Sequence, residues 1–287
     1  MHRTGSRTLV LFALVTALGC GSTSPRPAAV QKTPIGREQL EALLVHPGPM
    51  PDGLIYTDPD HKLWFSHPRA FYPIERLVRV DLSRVRVLVI GDIDTAGVDL
   101  LCPRLTNIES VQIDCGSDMV ESTEEIRLDD AVAQRLIACP ALRSMRSLSL
   151  LGCRVGDETA RAIAEADLPA LTELWLWNGS LTPTGVEHFT RNPIGQRLVK
   201  LSLRGQGLGD RALATLIASG LLTRAKVNLS RNDITDESAR QLLDLGVDEI
   251  KMLDLEWNMK VSEELSARLH AKFGDRIEAP WESAVNP

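Results

Sequence analysis

Met145-Arg-Ser-Leu148-Ser-Leu150-Leu-Gly-Cys153-Arg-Val155 is followed by Leu171-Thr-Glu-Leu174-Trp-Leu176-Trp-Asn-Gly179-Ser-Leu181. Then come Leu198-Val-Lys-Leu201-Ser-Leu203-Arg-Gly-Gln206-Gly-Leu208 and Arg224-Ala-Lys-Val227-Asn-Leu229-Ser-Arg-Asn232-Asp-Ile234. A further copy starts at Ile250 and reads Leu253-Asp-Leu255-Glu-Trp-Asn258 after its first apolar residue. The starts are separated by 26, 27, 26 and 26 residues. In each copy a hydrophobe-x-x-hydrophobe-x-hydrophobe run precedes a polar loop and a helix-like segment. A constant period of this length means stacked units, none of which can bury its apolar face alone.

Within a unit, alternation decides direction. Leu148 and Leu150 point to one face of a strand, and Ser147, Ser149 and Leu151 to the other. Ala160-Arg-Ala-Ile163, Ala212-Leu-Ala-Thr-Leu216 and Ala239-Arg-Gln-Leu242 return a helical apolar stripe to the same core. Gly156-Asp157, Gly209-Asp210 and Thr235-Asp236 supply helix-start residues, with side-chain oxygens suited to free backbone N–H groups. A helix is wider than the spacing of strands, so the stack should bend. These copies resemble leucine-rich repeats of the cysteine-containing and ribonuclease-inhibitor-like subclasses, the former through Cys139-Pro140-Ala-Leu142 and Cys153. The resemblance implies an α/β solenoid, a horseshoe with parallel strands on the concave face and helices on the convex face. It also implies that the concave strands bind a protein.

Outward from this centre the pattern loosens. Leu82-x-x-Val85-x-x-Leu88-x-Ile90 and Leu105-x-x-Ile108-x-x-Val111-x-Ile113 are two earlier, irregular units. Leu142-x-x-Met145-x-x-Leu148-x-Leu150 shares their extended form. Between Asp114 and Asp130 lies an acidic insertion with Asp118, Glu121, Glu124, Glu125 and Asp129, expected to be solvated. Residues 37–80 do not fit the repeat, carry Tyr56, Trp64, Phe65, Phe71 and Tyr72, and are expected to cap the open end of the core. A short amphipathic helix is expected over Ile35 to Val45. Asp58, Asp60, His61 and His67 match no metal-binding spacing and are expected to be solvated. After Asn258 the last copy departs from the pattern, with Lys260 in an apolar place; Phe273-Gly-Asp-Arg-Ile277-Glu-Ala-Pro-Trp281 predicts a short closing strand. The repeat domain is placed at 81–281 and a tail at 282–287.

The N-terminus reads as an address. Arg3 and Arg7 precede an apolar run from Leu9 to Leu18, too short to span a bilayer. Ala17-Leu18-Gly19-Cys20 resembles the lipobox of bacterial lipoproteins, with Ala17 where that family favours leucine. The resemblance implies a signal peptide over 1–19, lipidation at Cys20, and a lipid-anchored protein of the bacterial cell envelope. Residues 20–36, with Gly21-Ser-Thr-Ser-Pro-Arg-Pro, form a flexible tether. Gly21 is not the aspartate that retains enteric lipoproteins at the inner membrane, so the outer membrane is expected.

The net charge of −6, with 32 Lys and Arg against 38 Asp and Glu, argues against a general nucleic-acid binder. Removal of residues 1–19 would leave 30 − 38 = −8. With Cys20 lipidated, Cys102 and Cys139 occupy equivalent places in adjacent units, as Cys115 and Cys153 nearly do. Buried thiols are the expectation; disulfides are the alternative that an exported protein permits.

Function is expected in the outward strand residues. Leu151, Glu173, Trp175, Trp177, Lys200, Arg204, Asn228 and Asp254 are the candidate protein-binding residues. Trp175 and Trp177 alternate with core Leu174 and Leu176, and aromatic and arginine side chains dominate binding hot spots. Trp257 falls one place later in its unit and is expected at the rim. No Gly-x-Ser-x-Gly elbow, phosphate loop, His-Glu-x-x-His or Cys-x-x-Cys is present. Asn178-Gly-Ser180 is expected to form a turn, and His188 and His270 to lie at helix surfaces. The expectation is therefore a non-enzymatic module without cofactor or metal. The alternatives are a carbohydrate-binding module that uses Trp175 and Trp177, or a structural spacer.

Overall fold

The structure is a computed structural model, and it describes residues 55–57, 62–65, 82, 85–91, 93–116 and 126–279. The signal peptide, Cys20, the tether, the helix expected over 35–45, His61 and His67, the acidic residues 118–125 and Trp281 lie outside the described residues.

Among the described residues, ten strands form one open sheet in chain order. They are β1 (Ile55–Thr57), β2 (Lys62–Phe65), β3 (Val87–Ile90), β4 (Ser110–Asp114), β5 (Ser147–Leu151), β6 (Glu173–Trp177), β7 (Lys200–Ser202), β8 (Lys226–Asn228), β9 (Met252–Asp254) and β10 (Ile277–Glu278). β1 and β2 pair antiparallel, and every later pair is parallel. The hairpin thus begins the sheet from within the segment expected to cap it, and β10 is the closing strand that Ile277 predicts. The helices are α1 (Thr95–Leu101), α2 (Asp130–Ile137), α3 (Asp157–Glu165), α4 (Pro183–Arg191), α5 (Pro193–Arg197), α6 (Gly209–Ala218), α7 (Leu221–Arg224), α8 (Asp236–Asp244) and α9 (Glu263–Phe273). One strand and its following helix make each coil. This is the α/β solenoid, leucine-rich-repeat-like, that the period predicts, with its sheet open and not curled into the expected horseshoe.

Alternation sets the core. Leu148, Leu150, Leu174, Leu176, Leu201, Leu203, Val227, Leu229, Leu253 and Leu255 are all buried, opposite the helix residues Ala160, Ile163, Val186, Ala212, Leu216, Ala239 and Leu242. The irregular units obey the same rule, since Leu82, Val85, Leu88, Leu105, Ile108 and Val111 are buried too. Truncating such a leucine to alanine costs about 2–5 kcal/mol, depending on how far the site collapses.

At the strand exits, buried amides replace apolar side chains. Asn232 Oδ1 accepts from the backbone N–H of Gln206 at 3.0 Å and Leu208 at 3.3 Å, while its Nδ2 donates to Leu203 O at 2.6 Å. Asn258 does the same one coil later, for Asn232 N at 2.8 Å and Ile234 N at 3.0 Å. Gln206 reaches back to Leu181 N and Leu176 O. The residue before each of these turns left-handed: Gly205 (φ 71°), Arg231 (φ 56°) and Trp257 (φ 60°). A Cβ at Gly205 would lie 1.9 Å from Asn178 Oδ1, so only glycine fits there. Asn178 (φ 52°) makes the expected turn.

The equivalent places in the early coils hold Cys115 and Cys153, and here the expectation of thiols is corrected. Cys115 and Cys153 form a disulfide with Cα atoms 5.0 Å apart, and Cys102 and Cys139 form a second at 5.6 Å. Both lie within the Cα range that a disulfide requires. Together they clamp the two coils on either side of the insertion, where the amide ladder is missing.

The helix starts are also corrected in detail. Thr235 caps its own helix, its hydroxyl oxygen accepting from Glu237 N at 3.2 Å. The aspartates serve the next coil instead: Asp130 accepts from Gly156 N at 2.8 Å, Asp157 from Thr182 N at 2.8 Å, Asp210 from Thr235 N at 2.9 Å and Asp236 from Ser262 N at 2.6 Å. Each carboxylate therefore sits beside the N-terminal N–H groups of a neighbouring helix, where negative charge is favoured. The last copy does not end at Asn258: it keeps its ladder amide, adds α9 and closes with β10.

Candidate functional site

The face of the sheet away from the helices carries all eight candidate residues. Backbone register aligns them in rows. Glu173, Lys200, Lys226 and Met252 are neighbours in one row, and Ser149, Trp175, Ser202, Asn228, Asp254 and Glu278 in the next. Leu151 lies opposite Trp177. Strands about 4.8 Å apart bring successive members of a row within side-chain reach.

Three pairings organise the face. Lys200 Nζ stands 3.1 Å from Glu173 Oε1 and also 5.8 Å from the centre of the Trp175 ring. The Arg204 guanidinium lies 5.5 Å from the Trp177 ring centre, and Trp177 Nε1 donates to Ser202 Oγ at 2.7 Å. Asn228 Nδ2 donates to Asp254 Oδ2. Both tryptophans are half-buried. A cation over an indole face is attractive by about 0.5–1 kcal/mol at exposed sites.

Asp254 is the electrostatic exception. Burial pushes its carboxyl up to about 6, the nearby Glu278 and Glu256 add to the rise, and the Glu256 backbone N–H and Arg204 oppose it. β9 and β10 thus form an acidic margin beside the aromatic centre.

Two serines that share the outward alternation of Lys200 and Asn228 are covered. Ser202 is only 5% exposed, beneath Trp177, and Ser230 is 2% exposed with its hydroxyl bonded to Asn228 Oδ1 at 2.8 Å. Trp257 stands at the rim as expected, 48% exposed, with Arg231 over its ring at 5.4 Å. His188 and His270 lie on α4 and α9 and are half-buried. Glu278 was invisible as a partner of Asp254 because the closing strand lies outside the repeat period. Lys226 carried a signal, since it falls at the repeat position that Glu173 and Lys200 occupy in earlier coils. Among the described residues, no group of three side chains comes together to hold a metal ion, and no helix is long and apolar enough to cross a membrane.

No protein-family model matches the chain, and no curated protein does. Among solved structures, the chain is similar to one in a crystal structure of the yeast Rad7 and Elc1 complex, at 17% identity and a TM-score of 0.42, covering 74% of this chain and 69% of that chain. It is similar also to a Bacteroides fragilis protein, at 17% identity and a TM-score of 0.46, covering 72% of this chain and 70% of that one.

Proposed function

We infer that the chain is a non-enzymatic, lipid-anchored protein of the bacterial envelope that binds a protein partner through the strand face. The observation that carries this reading is the pair of half-buried Trp175 and Trp177, each under a cation, on one strand in the middle of the sheet. Rigid aromatic and arginine side chains lose little entropy on binding and supply most of an interface's affinity. Lys200 and Arg204 stand over the indole faces on which a sugar ring would stack, which favours a protein over a carbohydrate. Two disulfides suit an oxidising compartment. Cys20 supplies the anchor, and an outer-membrane position follows from Gly21 by the resemblance to enteric lipoproteins.

The test is crosslinking capture from intact envelopes, comparing the wild type with Trp175→Ser/Trp177→Ser. A protein lost only from the double variant supports the reading; an unchanged capture by a folded variant removes the site from these strands. Cys20→Ser should release the protein from membranes, and a variant that still sediments with them would refute the lipid anchor.

A further inference from the structure

The lower margin of the strand face gathers three lysines, of which Lys200 alone has a carboxylate partner. Lys200 and Lys226 are in direct register on adjacent strands. Lys251 immediately precedes Met252, which is the register partner of Lys226. Lys200 has Glu173 at 3.1 Å, and Lys251 Nζ donates to Arg224 O at 2.9 Å. Among the described residues, Lys226 has no ion-pair partner and is exposed. Like charges placed directly opposite on neighbouring strands oppose folding, so this arrangement is unfavourable in the isolated chain.

The same margin is apolar between its charges. Val199 is 41% exposed beside Lys200, Met252 is half-buried, and Trp175 lies under the Lys200 ammonium. We propose that this margin, from Trp175 across Lys200 and Lys226 to Lys251, receives an extended acidic segment of a protein partner, with carboxylates at the lysines and apolar side chains against Val199, Met252 and Trp175. The assignment rests on the strand-face reading above and adds the chemistry of what is bound. Bound carboxylates would relieve the repulsion between Lys200 and Lys226, and the positive margin would steer an acidic partner to it.

The test offers the full chain, in detergent, a random-peptide display library. Recovered peptides should be enriched in aspartate and glutamate interspersed with apolar residues. Binding of a recovered peptide should weaken about tenfold in Lys226→Glu at low salt and persist in Lys226→Arg. The proposal is overturned if no peptide is recovered, if recovered peptides lack an acidic excess, or if Lys226→Glu binds them as the wild type does. Full competition by random-sequence single-stranded DNA would also overturn it, since the margin would then be reading polyanion charge alone. Peptides without acidic excess that are lost in Trp175→Ser/Trp177→Ser would refute the acidic assignment while sustaining the strand-face reading. Peptides indifferent to both the lysine and the tryptophan substitutions would remove both.

Discussion

The indole nitrogen of Trp177 donates to the Ser202 hydroxyl 2.7 Å away on the neighbouring coil. The bond satisfies the polar end of a side chain whose ring lies under Arg204, and it fixes that ring against a buried serine. Half-burial with one satisfied donor leaves a rigid aromatic surface, the kind that contributes to binding without a large ordering cost.

Ser202→Ala removes the acceptor and leaves the Trp177 N–H to find water at the edge of the face. A loss of about 1 kcal/mol in urea denaturation is expected, with greater access of iodide to tryptophan fluorescence. A variant as stable as the wild type, with unchanged quenching, would show that the bond does not hold the ring.

Asn232 carries a heavier demand. Its side chain serves backbone groups of Gln206, Leu208 and Leu203 from a fully buried position. Asn232→Ala should cost about 3 kcal/mol, since each buried group left unsatisfied costs roughly 1–3 kcal/mol. The midpoint of urea denaturation should fall with an unchanged slope; a loss below about 1 kcal/mol would mean that water replaces the amide.

The early coils should depend on their cysteines instead. In protein purified from an oxidising compartment, Cys102, Cys115, Cys139 and Cys153 should be unreactive to thiol reagents after denaturation until reductant is added. Cys102→Ser/Cys139→Ser leaves only the Cys115–Cys153 bond across the insertion and should lose about 3 kcal/mol. Four reactive thiols in the unreduced, denatured chain would refute both bonds.

Asp210 and Asp254 should respond to pH in opposite senses. Asp210 is held below its ordinary value: burial pushes it up, but hydrogen bonds from Ser238 and Thr235 outweigh that. Its contribution is present above the unfolded carboxylate range and is lost as pH falls through the lower folded value. Asp254 sits at about 6 in the fold, so its ionisation opposes folding, and the cost grows as pH rises from about 4 to about 6. Asp254→Asn should therefore raise the denaturation midpoint more at pH 7 than at pH 4. Equal shifts at the two values would show that the carboxyl is not perturbed.

The period and the alternation at Leu174, Trp175, Leu176 and Trp177 determined the fold, the core and the outward face, because a strand's pleat assigns every second side chain to one side whatever its neighbours are. They also placed Cys102 with Cys139 and Cys115 with Cys153. Only the tertiary structure decided that these pairs are bonded, that Ser202 and Ser230 are covered, that Asp157 and Asp210 serve the following coil, and that Glu278 lies near Asp254. Each of those facts depends on a side chain's reach into the adjacent coil, some 25 residues away in sequence for the aspartates. Direction is a local property of the backbone, whereas contact between coils is settled by rotamer and register together.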